Sequence, residues 1–394
     1  MSGARVVLTS ADEYLHHQAV ATFDEVTTTD RNWTEKGYVV GYATNGSVMA
    51  GIGIGKYPNR NVMDAFATIA VPGWQYNVRA SRDLRPGIES TTVGPVVWDI
   101  IEPLKKIRVA LLDNDYGVSC DLLYEGYFPP VVGSPGFRRD NGITSNHTLR
   151  YYQPGRTSGT VTVEGVTHTI DADNSYGYRD RSWGVRGIAG VPPEGSFLFD
   201  DASGQPETGL RPASPTPAGL LHGYLNLIFP GFAVSSTFTQ GPDGTPVPSS
   251  TGSSEGFVAF PTETGRPPIA IVDLELNFEF FAGTRRARGL EASVLLADGT
   301  KKQITCSWKN LVFYFRGGAY FGFRGWWHGK YMGAPLVVGG EKLDLTDKAV
   351  LDELYSVEEI AVDCTCDGER GHGVIEPWVI GEMPRYGISH EHLG

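Results

Sequence analysis

Cysteine is scarce in this chain, with four among 394 residues: Cys120, Cys306, Cys364 and Cys366. Cys364-Thr365-Cys366 reads as a C-x-C pair on a strand, with the two sulfurs expected on opposite faces. Zinc sites take C-x2-C spacing and a second pair of ligands, so no metal site is expected and all four cysteines are read as reduced structural thiols. Basic charge is also short: 33 Lys and Arg stand against 45 Asp and Glu, a net charge of −12. A nucleic-acid partner would need a basic face to neutralise phosphates, and that class is excluded. No run approaches the ~20 consecutive apolar residues of a membrane helix. Met1 to Tyr14 holds no apolar core of signal-peptide type. A cytoplasmic protein without integral membrane association is the expectation.

Several motifs are missing as well. There is no G-x-S-x-G nucleophile elbow, no P-loop and no H-E-x-x-H zinc helix. Gly51-Ile52-Gly53-Ile54-Gly55 lacks the G-x-G-x-x-G spacing and has no helix pattern after it. Hydride transfer and metal hydrolysis are therefore disfavoured, and no cofactor is expected.

Helical periodicity is scarce too, and what replaces it is glycine, aromatic residues and alternation. Glycine numbers 50, nearly twice the usual ~7%. Short alternating segments recur between turn signals, at Tyr38–Tyr42, Val48–Ile54, Ile107–Leu112, Thr160–Val163, Ala270–Phe280, Ala292–Leu296 and Leu311–Phe315. That pattern predicts an all-β sandwich or barrel. Residues 159–170 read as a hairpin with Glu164-Gly165 at its turn. One helix is expected over Ala349–Leu354, capped by Asp344 or Thr346. Six prolines between Pro192 and Gly219 mark a long connection. The expected organisation is a β domain over 1–190, a Pro/Gly-rich connection over 191–219 and a second β domain over 220–394. Exposed edge strands would allow a homodimer.

The densest chemistry lies in Gly177-Tyr178-Arg179-Asp180-Arg181-Ser182-Trp183-Gly184. On a strand, Arg179 and Arg181 point away from the face of Asp180, while Tyr178 shares it. A carboxyl raised by burial can donate a proton, and an aromatic face such as Trp183 can support a cation. Further on, His222, Tyr224 and Asn226 alternate onto one face, with Leu221, Leu225 and Leu227 left for the core. They read as a pocket wall able to hold a water or a hydroxyl. The aromatic run 314–332 reads as lining for an apolar pocket, with Trp326, Trp327 and His328 as substrate contacts. Glu35 and Glu376 are secondary acid candidates.

The hairpin, the Tyr178-x-Asp180-x-x-Trp183-Gly184 turn and the β-rich second half together resemble the carotenoid 1,2-hydratase (hydroxyneurosporene synthase)-like superfamily. Asn32-Trp33-Thr34-Glu35 and Gly371-His372-Gly373-Val374-Ile375-Glu376 add to the resemblance. It implies two lipocalin-like antiparallel β domains with one or two short helices. It also implies a cofactor-free enzyme acting on an apolar, often isoprenoid molecule. The leading expectation is a hydratase or dehydratase with Asp180 as proton donor, Tyr178 and Trp183 shaping the pocket, and His222 or Tyr224 positioning water. A cyclase or isomerase in the same pocket, and a carrier of an apolar ligand, stand as the alternatives.

Overall fold

The computed structural model describes residues 19–140, 142–186, 219–247, 256–354 and 357–389, with residues 8, 9, 11, 15, 17 and 18 before them. The first half opens with β1 (Trp33–Ala43), β2 (Met49–Tyr57), β3 (Val62–Val71) and β4 (Trp74–Asp83). Then come β5 (Thr92–Val93), β6 (Val96–Glu102), β7 (Lys106–Leu111), β8 (Val118–Glu125), β9 (Val131–Val132) and β10 (Gly136–Asp140). The long β11 (Ile143–Val163), β12 (Val166–Ile170) and β13 (Ser175–Arg186) complete it. The second half supplies β14 (Gly219–Phe229), β15 (Phe232–Gln240), β16 (Gly256–Ala259), β17 (Ile269–Phe280), β18 (Ala287–Leu296) and β19 (Lys301–Tyr314). It ends with β20 (Leu336–Asp344), helix α1 (Lys348–Leu354), β21 (Glu358–Cys366) and β22 (Glu369–Gly381).

These strands form two sheets. One runs β20-β4-β3-β2-β1-β13-β11-β8-β7-β6-β5, with β9, β10 and β12 attached to β11. The other is a closed barrel of β14 to β19, β21 and β22. The all-β class read from alternation is the observed one. The Glu164-Gly165 turn joins β11 to β12, and both residues have positive φ (48° and 83°), as a tight hairpin requires. Among the described residues no helix is long and apolar enough to cross a membrane.

Alternation explains why several strands show no polar face. On β1, Val39 packs into the core of the first sheet, while Tyr38, Val40 and Tyr42 pack into a second cluster against the barrel. On β3, Met63, Ala65 and Ala67 face one way and Phe66 and Ala70 the other. A strand buried on both sides reads as a nearly continuous apolar run. The first sheet curls until Trp98 of β6 lies over β1. A Cβ on Gly37 would sit 2.8 Å from the Trp98 ring, so glycine is needed there. The barrel interior is filled by Leu221, Leu225, Leu227, Ile360, Ile375 and their neighbours.

The outer wall of the barrel packs against the outer face of β1, β3 and β13, forming the second cluster. Hydrogen bonds tie the two units there. The Tyr42 hydroxyl donates to the Gly373 carbonyl at 3.0 Å, and the Tyr176 hydroxyl to the Asn226 carbonyl at 3.0 Å.

Three expectations need amending. Cys364 and Cys366 both face the barrel core, because residues two apart on a strand share a face. The helix cap is Asp347, whose Oδ1 accepts from Ala349 N at 2.9 Å; Asp344 instead closes a turn by accepting from Thr346 N at 2.8 Å. The boundary at 220 is crossed by β20, which pairs along β4 from Leu336↔Arg82 to Asp344↔Trp74. The connection at 191–219 lies outside the described residues except for Gly219.

Candidate functional site

The site begins with register. β13 lies between β1 and β11, with Tyr38 and Tyr152 on either side of Asp180 and Lys36 and Arg150 on either side of Ser182. With a period of two, all six side chains share the face turned to the barrel. The barrel adds Tyr224 from β14, and Glu376 and Trp378 from β22. The segment after β19 adds Phe315, Tyr320 and His328. Between them lies a cavity of about 40 Å³, space for a few water molecules.

The cavity concentrates charge in a buried place. Arg150 Nη1 donates to the Tyr224 hydroxyl at 2.6 Å and lies 3.9 Å from the Asp180 carboxylate. Arg186 Nη1 donates to Ser182 Oγ at 3.1 Å. Burial raises the Asp180 carboxyl above the usual range, against the pull of Arg150, Arg186, Lys36 and Arg181.

A second acid pair stands on the barrel side. Burial pushes Glu376 up to about 8. Glu359 is buried beside it, and neither Glu359 carboxyl oxygen has a hydrogen-bond partner among the described residues. Glu359 is also raised, by burial and by the charge of Glu376. The pair titrates as a unit, with a proton retained at neutral pH.

Lys36 is the reverse case. It is 7% exposed, and burial, with Arg186 nearby, lowers its amine to about 7. His328 is also buried, and burial lowers its imidazole. Its Nδ1 faces Asp64 Oδ2 at 3.5 Å, and Asp64 is held by the amide of Gly329 at 2.6 Å. His328 Nε2 has no hydrogen-bond partner among the described residues.

Next to this cavity lies a larger and more apolar one, of about 220 Å³. Tyr152, Phe257, Val131 and Ala270 line it, together with Asn226 and Ser235. Tyr152 of this cavity and Tyr224 of the first have their rings 6.4 Å apart.

Asp180, Tyr224, Glu376 and His328 thus meet at one cavity. Tyr178 lies beside it, stacked on Tyr152 at 6.5 Å, and Asn226 belongs to the larger cavity. His222 is one ring away, 5.6 Å from Tyr224, with Nδ1 2.8 Å from Thr239 Oγ1; burial lowers it to about 4. Trp183 is on the other face of β13, three residues from Asp180, with the Arg181 guanidinium over its ring at 6.0 Å. Glu35 pairs with Arg181 on that outer face. Trp326 packs under Arg79, and Trp327 against Gly322. Alternation does not hold in that run, since Ala319, Phe321, Gly322, Arg324, Gly325 and Gly329 all have positive φ and form successive turns.

Sequence reading missed Lys36, Arg150, Glu359 and Asp64. Lys36 carried a signal, because it sits two positions before Tyr38 and so shares its face. The alternating pattern is clear only from Tyr38, whereas the strand starts at Trp33.

Fold and site define a two-unit β protein with a buried acid–base cleft between its units. The chain belongs to a family of unknown function, DUF8625, whose profile matches residues 8–389. No curated protein matches it in sequence. Among solved structures, a protein assigned as AttH from Nitrosomonas europaea shares the fold: 14% identity over 97% of this chain and 99% of that one, TM-score 0.51. Kievitone hydratase from Nectria haematococca aligns at 13% identity over 88% and 89% of the two chains, with a TM-score of 0.42. CghA with Sch210972 aligns at 9% identity over 89% of each chain, with a TM-score of 0.41.

Proposed function

We propose that the protein is a cofactor-independent lyase of the hydratase or dehydratase kind, acting in this cleft on a small, largely apolar, isoprenoid-like molecule. The observation that carries the reading is the meeting of two buried acids, Asp180 and Glu376, at one cavity. Glu376 keeps a proton to about pH 8, whereas Asp180 stands among cations. Burial raises both carboxyls, and the cations around Asp180 favour its carboxylate, which suits Glu376 to the acid role and Asp180 to the base role.

In hydration, the Glu376–Glu359 pair delivers a proton to an alkene carbon. The faces of Tyr320, Phe66 and Trp378 surround the developing cation. Asp180 takes the proton of the attacking water, and the Arg150–Tyr224 pair orients that water. Dehydration runs the same steps backwards. The larger cavity offers room for the apolar body of the substrate.

The test is product mass spectrometry in isotopically heavy water with a panel of isoprenoid alkenes and tertiary alcohols. Wild type, Asp180→Asn and Glu376→Gln are compared. Heavy oxygen or deuterium entering the product with wild type alone supports the reading. Conversion without isotope uptake would move the site to a cyclase or isomerase. A bound ligand returned unchanged would make the protein a carrier.

A further inference from the structure

We propose that Lys36 is a reactive amine that captures a carbonyl group as an imine, so that the substrate class of the cleft is an aldehyde or ketone. This rests on the reading of the cleft as the reaction site.

Four observations lead there. Lys36 lines the cavity, and its Nζ has no hydrogen-bond partner among the described residues. Its cross-strand neighbours are Gly55 and Ser182, two of the smallest residues available, so no bulky cross-strand side chain stands beside the buried amine. Nζ lies 5.0 Å from the centre of the Tyr320 ring and 5.8 Å from that of Tyr57, and no carboxylate among the described residues hydrogen-bonds to it. The groups that could carry protons for the reaction line the same cavity: Asp180, Glu376 and His328.

The charges around the amine come from every neighbouring element. Arg186 and Asp180 face it from β13, Asp64 from β3, and Arg60 from the turn after β2. His328 and Tyr320 approach from the segment after β19. Burial dominates the balance and leaves a large share of the amine unprotonated near neutrality. Only the neutral form has the lone pair that attacks a carbonyl.

The step balances without an outside oxidant or reductant. The nitrogen lone pair forms a bond to the carbonyl carbon, and the π pair moves to oxygen. One proton from the amine and one from a cavity carboxyl convert that oxygen to water, which leaves. The product is a protonated imine. Water is then more easily lost from, or added to, the carbon β to it, because the cationic nitrogen accepts the electron pair. The preferred substrates are therefore β-hydroxy or α,β-unsaturated carbonyl compounds.

The experiment uses the full-length wild-type protein with 3-methylbutanal and sodium cyanoborohydride, in brief exposures at pH 7. Peptide mass spectrometry then locates the reduced adduct. Lys348, whose side chain is 79% exposed, serves as the internal reference. An ordinary exposed lysine is almost fully protonated at pH 7, so Lys36 should label at least about tenfold faster. Labelling of Lys36 no faster than Lys348 would overturn the proposal. Only the wild type is read, so no variant has to fold. Trapping at Lys36 without isotope uptake in turnover would leave the imine site standing and remove the lyase. Turnover of simple alkenes with Lys36 untrapped would do the reverse.

Discussion

Asp180 and Glu376 line one cavity from two different β-units, Asp180 on β13 of the curled sheet and Glu376 on β22 of the barrel. The proposed reaction would then need both units docked. Positioned acids and bases contribute typically 10²–10⁴-fold. Asp180→Asn and Glu376→Gln should each lower kcat by about 10²–10⁴-fold while near-ultraviolet circular dichroism stays unchanged. A folded variant with full activity would remove that residue from the mechanism.

Glu376 also sets a pH dependence with a definite sign. Its folded value, about 8, lies above the ordinary 4.5. The stability it contributes is full below pH 4.5 and is lost as pH rises through about 8. Glu376→Gln should melt higher than wild type at pH 8.5, by a margin that shrinks at pH 5. Calorimetry at the two pH values reads this, and a margin that grew on acidification would contradict the assignment.

Arg150 gives one N–H to Tyr224, and its Nη2 has no partner among the described residues. Tyr224→Phe removes a hydrogen bond to a buried cation. The expected loss is about 1.5–3 kcal/mol in urea unfolding. A loss below 0.5 kcal/mol would mean that water replaces the hydroxyl at little cost.

Ala270 stands at the rim of the larger cavity. Ala270→Trp should obstruct the apolar body of a substrate without touching the acids. KM should rise by about tenfold, the value of roughly 1.4 kcal/mol of lost binding, with kcat little changed. Equal loss in kcat would mean that the two cavities are not used as body and reaction ends.

Much of the fold was legible because its signals are local. The Glu164-Gly165 turn, the alternation of Ala270–Phe280 and the shared face of Tyr178 and Asp180 all follow from residues close in sequence. The site was legible only in part. Asp180, Tyr224, His328 and Glu376 are chemical residues in recognisable surroundings. Lys36, Arg150 and Glu359 acquire their buried surroundings only through neighbours far along the chain. Arg150 meets Tyr224 across 74 residues, and Asp64 meets the amide of Gly329 across 265. Trp183, Trp326 and Trp327 show the converse. Their residue type suggested a pocket, but strand parity and a run of turns direct them elsewhere.

The pairing of β20 with β4 imposes an order on synthesis. The outer edge of β4 is made early, and its partner emerges from the ribosome roughly 250 residues later. At ~5–20 residues per second that is a wait of roughly ten to fifty seconds. For that time the nascent chain carries an open hydrogen-bonding edge, a template for pairing with other chains. Slowed translation of the second half, or an abundance of truncated messages, would therefore lead to aggregation through β4 before any loss of chemistry at the cleft.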